Sequence, residues 1–444
     1  MKIRKLFSDK YIVLMACIAL AVFVITALGY YTGFMPFAYM HSDGNGYYMY
    51  LPAWFVYKDP GIHFLDQLTA DPSGFENTFY LMETGQVVDK YTMGVALLEL
   101  PFFLVAHLLT CIFLPGRVDG YSAIYQLGMM ASTCFYYFIG CLCTYKAGQK
   151  YASKKSLFWS VVLVTLGSGL LHYISRDGSY SHVYSFACIA LFILLIQKFE
   201  ERPSMKLQLL GGLIFGMLTL IRVTNVVMVM IYVCFNVDSF RNFWSRLLNI
   251  LKPKNWIGIA AGFILVWLPQ LIYWKWAAGS FIVNSYNLPG NVFDERFYWT
   301  EPKILNVLFY INRGIFFWCP VIVLSALGFI LCRKYIKELW TGLMVSLLLF
   351  IYIISAWWCY DGLCGFTNRF FVDMSGVFML MMAVFWERIR DRIALRRAAT
   401  VFSIVSVIWT NLFMIEYWFN ETTKYDVHIE HILQVFSWYR NLIG

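Results

Sequence analysis

The sequence predicts an all-α polytopic membrane protein of about eleven transmembrane helices, with interfacial helices in its first outer loop. Three observations carry that expectation. Of 444 residues, 60% are hydrophobic and only 14% are charged, against about 25% charged in soluble domains. Apolar runs recur along the whole length of the chain. Lys and Arg collect in the short segments between alternate runs, as positive-inside sorting requires.

The first element is a basic stretch, Met1 to Lys10, followed by an apolar run over 11–30. No small-x-small cleavage site precedes the polar loop, so this reads as an uncleaved signal anchor. Further apolar runs occupy 93–115, 121–145, 157–174, 183–197, 207–221, 223–237, 256–276, 311–332, 338–356, 368–386 and 398–418. Several are shorter than the roughly 20 residues a straight span needs, which leaves their ends open. Charge decides which runs cross. If 93–115 does not cross and the N-terminus is cytoplasmic, the inner loops hold 23 of the 35 Lys and Arg. If it does cross, every later loop flips and the inner side keeps 14 of the 35. Segment 93–115 also contains Glu99, Pro101 and His107, which suit an interfacial helix.

The chain 1–444 is thus expected to be a single membrane domain. Its extracytoplasmic parts would be a first loop over 31–120, short loops at 175–182 and 357–368, a second large loop at 277–312 and a tail at 419–444. The 16 Trp and 30 Tyr suit the membrane–water boundary. The net charge of +9 forms no basic stripe, which excludes nucleic acid as a partner. Most of the 11 cysteines lie inside apolar runs and read as small hydrophobes; Cys359 and Cys364 are the pair placed to bridge an outer loop. No spacing of His, Cys, Asp or Glu demands a metal or cofactor.

The polar residues of interest fall on the outer side. The stretch His41-Ser42-Asp43-Gly44-Asn45-Gly46-Tyr47-Tyr48 directly follows the first apolar segment. A carboxylate there is ionised at neutral pH and costly near lipid unless it is used or paired. Asp43 reads either as the cap of a short helix, with Gly44 and Gly46 as turn residues, or as a general base at the lip of a wet cavity. Tyr47 stands beside it as a substrate contact. In Ser175-Arg176-Asp177-Gly178-Ser179-Tyr180-Ser181-His182, a solvated turn and a second polar wall are both open, with Asp177 or His182 orienting substrate. Arg222 sits between two short apolar runs and needs a partner, either a backbone carbonyl or a phosphate. Arg313 in Asn312-Arg313-Gly314, and Arg369 after Trp357-Trp358-Cys359-Tyr360-Asp361-Gly362, put further cations at that level. Aromatic belts explain the tryptophans but not three arginines on the less basic face, so an anionic ligand is expected there. Asp361 and Lys90 complete the candidate set.

Taken together, the acidic Asp-Gly-x-Gly-Tyr-Tyr loop, Lys90-Tyr91-Thr92-Met93-Gly94, Ser181-His182-Val183-Tyr184, Ile221-Arg222-Val223-Thr224-Asn225, Asn312-Arg313-Gly314 and Trp357-Trp358…Gly365…Arg369 resemble bacterial membrane glycosyltransferases of the GT-C class. The likeness is to the protein mannosyltransferase and aminoarabinose-transferase relatives. It implies a polyprenyl-phosphate sugar donor, a lipid or glycan acceptor and inverting transfer on the outer face of a bacterial plasma membrane. It also implies a first-loop acid as base, which maps onto Asp43. Many relatives carry two acids where this chain has Asp43-Gly44, and Trp-x-Gly-Gly where it has Asp361-Gly362. A transporter or flippase of lipid-linked glycans would also want outer arginines, but it needs polar groups deep in several helices. A glycan polymerase or ligase, and a non-catalytic assembly subunit, complete the alternatives.

Overall fold

A computed structural model describes residues 8–34, 38–65, 68, 78–288, 291, 293, 295–419, 427 and 430. Most of the expected tail at 419–444 lies outside the described residues, as do parts of the two large outer loops. The described residues are all-α apart from one short hairpin. In order it forms α1 (Lys10–Tyr31), α2 (Asp43–Phe55), β1 (Phe79–Leu81), β2 (Val87–Asp89), α3 (Gly94–Phe113), α4 (Ala123–Gly148), α5 (Lys154–Gly167) and α6 (Leu170–Ser175). Then come α7 (His182–Glu201), α8 (Met205–Ile221), α9 (Val229–Val233), α10 (Phe240–Ile250), α11 (Pro253–Ala278), α12 (Ile304–Phe309), α13 (Ile315–Trp318) and α14 (Ile322–Leu331). The last are α15 (Lys337–Ala356), α16 (Ser375–Arg388) and α17 (Ile393–Phe419).

Among the described residues, eight helical stretches are long and apolar enough to cross a membrane by length and composition: α1, α3, α4, α7, α11, α15, α17, and Arg369–Arg388, which includes α16. Several helix starts follow ordinary capping chemistry. Asp9 accepts from the Tyr11 N–H at 3.1 Å, and Ser153 and Ser204 cap α5 and α8 in the same way. Pro253 opens α11, and Gly279, at φ +75°, closes it in the left-handed conformation.

Three of the apolar runs are interrupted. Run 157–174 breaks where Ser168 turns extended; its hydroxyl accepts from the Leu170 N–H at 3.2 Å and donates to the Val164 carbonyl at 2.7 Å. Run 223–237 begins as a 3-10 turn over Val223–Met228. Run 311–332 is split at Cys319-Pro320-Val321, because proline lacks the N–H a continuous helix needs. Cys359 and Cys364 are separate thiols.

The chain divides into two compact units. The first holds 1–140, 173–226 and 249–295. In its core, Tyr48, Tyr50 and Leu51 of α2 cluster with Phe103 of α3, Tyr125 and Met129 of α4, and Tyr273 and Trp274 of α11. Buried tyrosines need partners for their hydroxyls, and Tyr50 donates to the Tyr91 carbonyl at 2.6 Å.

The closest helix pair in this unit is α8 against α11. Gly212 and Gly216 on α8 face Gly258 and Gly262 on α11. A Cβ at Gly212 would overlap the Ile259 carbonyl, and one at Gly262 the Leu209 carbonyl. Small residues four apart let the two backbones touch, as at helix contacts in lipid. The N-terminal end of α3 closes on the far end of α8 in the same way: a Cβ at Gly94 would lie 2.6 Å from the Ile221 nitrogen, and Thr92 donates to the Leu220 carbonyl.

The second unit holds 141–172, 227–248 and 296–444. There α14 packs on α16, α16 and α17 on α5, and α15 on α9. Glycine again sets the distance: Gly328 of α14 abuts the Met381 carbonyl of α16.

Candidate active site

Asp43 is the first residue of α2, and Ser42 before it turns the chain at φ +47°. The carboxylate is half-buried. It stands at the positive end of the helix dipole. Gly44 and Gly46 lie within the helix rather than in a turn. A Cβ at Gly44 would overlap Ser179, and one at Gly46 the Tyr91 ring. The space these glycines leave is taken by the chain's own 175–182 segment and by the residues that follow β2. The same segment is tied down twice more. His41 Nε2 lies 3.4 Å from Asp177 Oδ1, and the Ser179 hydroxyl donates to the Tyr39 carbonyl at 3.1 Å. Burial opposes protonation of His41, but the bond to Asp177 outweighs it together with the other contacts, and its pKa rises above the ordinary value.

Tyr286, in the segment after α11, is a residue that no sequence motif marks. Its hydroxyl titrates above the usual tyrosine range: burial comes first, then Tyr47, with Asp43 and Glu295 adding to the rise and Arg222 opposing it. Three functional candidates, Tyr47, Asp43 and Arg222, therefore bear on one side chain. The Lys90 ammonium lies 5.1 Å from the centre of the Tyr286 ring, a cation–π distance, and it pairs with Glu295 at 2.6 Å. Both partners of that pair are buried. Asn291 fastens the loop by donating to the Tyr286 carbonyl at 2.9 Å and to Glu295 at 3.0 Å. Tyr47 stacks obliquely on Tyr91 with ring centres 4.3 Å apart.

Arg222 ends α8. Its guanidinium meets His182 Nδ1 at 3.4 Å, and His182 opens α7 fully buried. An arginine only donates, so Nδ1 of His182 accepts in this contact. Asn225 fixes the turn that carries Arg222: its N–H donates to the Arg222 carbonyl, and its amide donates to Ser185 at 3.0 Å and to the Leu218 carbonyl at 3.1 Å.

The second unit holds the other three candidates. Arg313 sits at φ +68° and is 2% exposed. It donates to the Gly365 carbonyl at 2.7 Å and to Asn312 at 2.9 Å, and lies 3.7 Å from Asp361. Its guanidinium organises the 361–365 loop. Arg369 is half-buried, with the Cγ of its stem against Gly362 and its guanidinium 5.8 Å from the Phe370 ring centre.

Asp43, Tyr47, Lys90, Asp177, His182 and Arg222 thus belong to one unit, and Arg313, Asp361 and Arg369 to the other. His41, Tyr286 and Glu295 escape sequence reasoning, although Glu295 could have been suspected as the partner that a buried Lys90 requires. Among the described residues, no group of three or more His, Cys, Asp and Glu is placed to hold a metal.

No model of a protein family matches the chain, and no curated protein does. Solved structures to which it is similar are of the oligosaccharyltransferase of Archaeoglobus fulgidus. The apo form shares 13% identity over 94% of this chain and 56% of that one, at a TM-score of 0.48. A complex with Zn and sulfate shares 14% over 94% and 53%, also at 0.48. The archaeal oligosaccharyltransferase AglB from Archaeoglobus fulgidus, in complex with an inhibitory peptide and a dolichol-phosphate, shares 13% over 92% and 56%, at 0.44. The chain spans just over half the length of these structures. TM-scores below 0.5 leave the functional case to the residues of this chain.

Proposed function

We propose that this protein is a membrane glycosyltransferase that moves a sugar from a polyprenyl-phosphate donor to a hydroxyl of a lipid or glycan, on the extracytoplasmic face and with inversion. The observation that carries the reading is the presence in one unit of a half-buried carboxylate, Asp43 at the start of α2, and a cation, Arg222 at the end of α8, braced by His182 at 3.4 Å. Glycosyl transfer from a lipid phosphate asks for that pairing. The acceptor hydroxyl must lose a proton as it attacks the anomeric carbon, and a phosphate must depart with its charge stabilised.

Asp43 takes the proton. Arg222 faces the phosphate oxygens, with His182 holding its guanidinium in place. Arg313, Asp361 and Asp177 position loops rather than touch substrate, because each is engaged in contacts within its own unit. Lys90, already paired with Glu295, acts through Tyr286. Tyr47 flanks the acceptor.

The test is an assay of the purified full chain in lipid nanodiscs with a panel of polyprenyl-phosphate and polyprenyl-diphosphate sugars, reading product anomer and rate. Inverted product from a monophosphate donor, lost in Asp43→Asn, is expected. Transfer from diphosphate donors alone would replace this reading with a polymerase or ligase, and full activity of Asp43→Asn would remove Asp43 from the mechanism.

A further inference from the structure

Helix α10 has no part in the chemistry above and buries none of its residues. Its sequence, Phe240-Arg241-Asn242-Phe243-Trp244-Ser245-Arg246-Leu247-Leu248-Asn249-Ile250, is divided sharply by helical spacing. Phe240, Phe243, Trp244, Leu247 and Leu248 fall on one face, and Arg241, Asn242, Ser245 and Asn249 on the other. The apolar face is open: Phe240 is 75% exposed, Leu248 62% and Trp244 48%. Water would not tolerate such a stripe on a helix without a partner.

Two further features say what the partner is. Three residues after α10 ends, Pro253 opens α11, a 26-residue apolar helix of membrane-crossing length, so α10 stands at the boundary of the bilayer by chain continuity. The flanking charge is basic: Arg241, Arg246, Lys252 and Lys254 against Asp238 alone over 238–254. Arg246 is turned inward, donating to the Tyr232 carbonyl at 2.9 Å with its guanidinium 5.1 Å from the centre of that ring. It fastens the helix, while Arg241, Lys252 and Lys254 have no ion-pair partner among the described residues. Low net hydrophobicity, a full apolar face, a tryptophan on that face and lysine and arginine beside it describe a helix that lies in the plane of the headgroups.

We propose that α10 is a second membrane-contact site, an interfacial helix that lays Phe240, Trp244 and Leu248 into the lipid and draws anionic headgroups to Arg241, Lys252 and Lys254. In the test, a photoreactive benzoylphenylalanine replaces Trp244 on the apolar face or Asn242 on the polar face. The full chain is reconstituted in vesicles of equal parts phosphatidylethanolamine and phosphatidylglycerol, irradiated and read by mass spectrometry. Lipid adducts are expected at position 244 several-fold above position 242, enriched in phosphatidylglycerol. The R241Q/K252Q/K254Q variant should keep the adducts at 244 and lose the headgroup enrichment. Equal labelling at both positions, adducts to a polypeptide in place of lipid, or equal headgroups in the unsubstituted chain would overturn the proposal.

Discussion

Asp43→Asn keeps the size, the helix position and the half-burial of the native side chain, and removes its basicity. Loss of a positioned general base costs about 100-fold to 10,000-fold in rate, and melting of the purified protein should be unchanged. Gly44 is equally exacting for a different reason. An alanine there pushes on Ser179, so Gly44→Ala should lower stability by about 1–3 kcal/mol, as overpacking does, and slow transfer by displacing the 175–182 segment; thermal melting and the transfer assay read both. The raised pKa of His41 gives a pH signature. Its bond to Asp177 stabilises the fold fully below the unfolded histidine pKa of about 6.5 and is lost as pH climbs through the higher folded value. Amide protection in 175–182, corrected for intrinsic exchange, should therefore fall as pH rises past about 6.5, and His41→Gln should flatten that dependence. Residue types in short motifs were legible in the sequence: a lone carboxylate after the first apolar run, an arginine between apolar runs. Tyr286 was not, because its role comes from where the chain returns after α11 and not from its neighbours in sequence.

Among the elements, most helices were legible because a helix in lipid must be apolar along its whole length. The breaks at Ser168 and Cys319-Pro320 were hidden inside runs of even hydropathy, and the β1–β2 hairpin within the first loop was too short to show a period. α10 was hidden by expectation, since a basic loop between spans reads as solvated until its apolar residues are placed around a helix. The pair Lys90–Glu295 joins the residues after β2 to the segment after α11, with both groups out of water. Removing one partner of such a pair leaves a buried charge and costs about 3–5 kcal/mol. Lys90→Met should therefore lower the melting temperature strongly, and the double variant Lys90→Met/Glu295→Leu should regain most of it. Lys90→Met as stable as the native chain would show that the ammonium is dispensable.

At the scale of the molecule, the distribution of Lys and Arg still implies an orientation that can be measured. Reporter fusions after Lys150, Arg202, Lys334 and Arg392 should face the cytoplasm, and fusions after Tyr298 and Asp361 should face outward. The opposite pattern would mean that α3 crosses the membrane. The arrangement of α8 against α11 has a consequence for turnover. Where backbone meets backbone there is no layer of side chains to slide, so the two helices behave as one stiff strut, clamped at its tip by Gly94 and Thr92. Arg222 is mounted on that tip. In the proposed reaction, a cation so held is aimed once, while the protein folds, and its field need not be rebuilt each time a leaving group gathers charge.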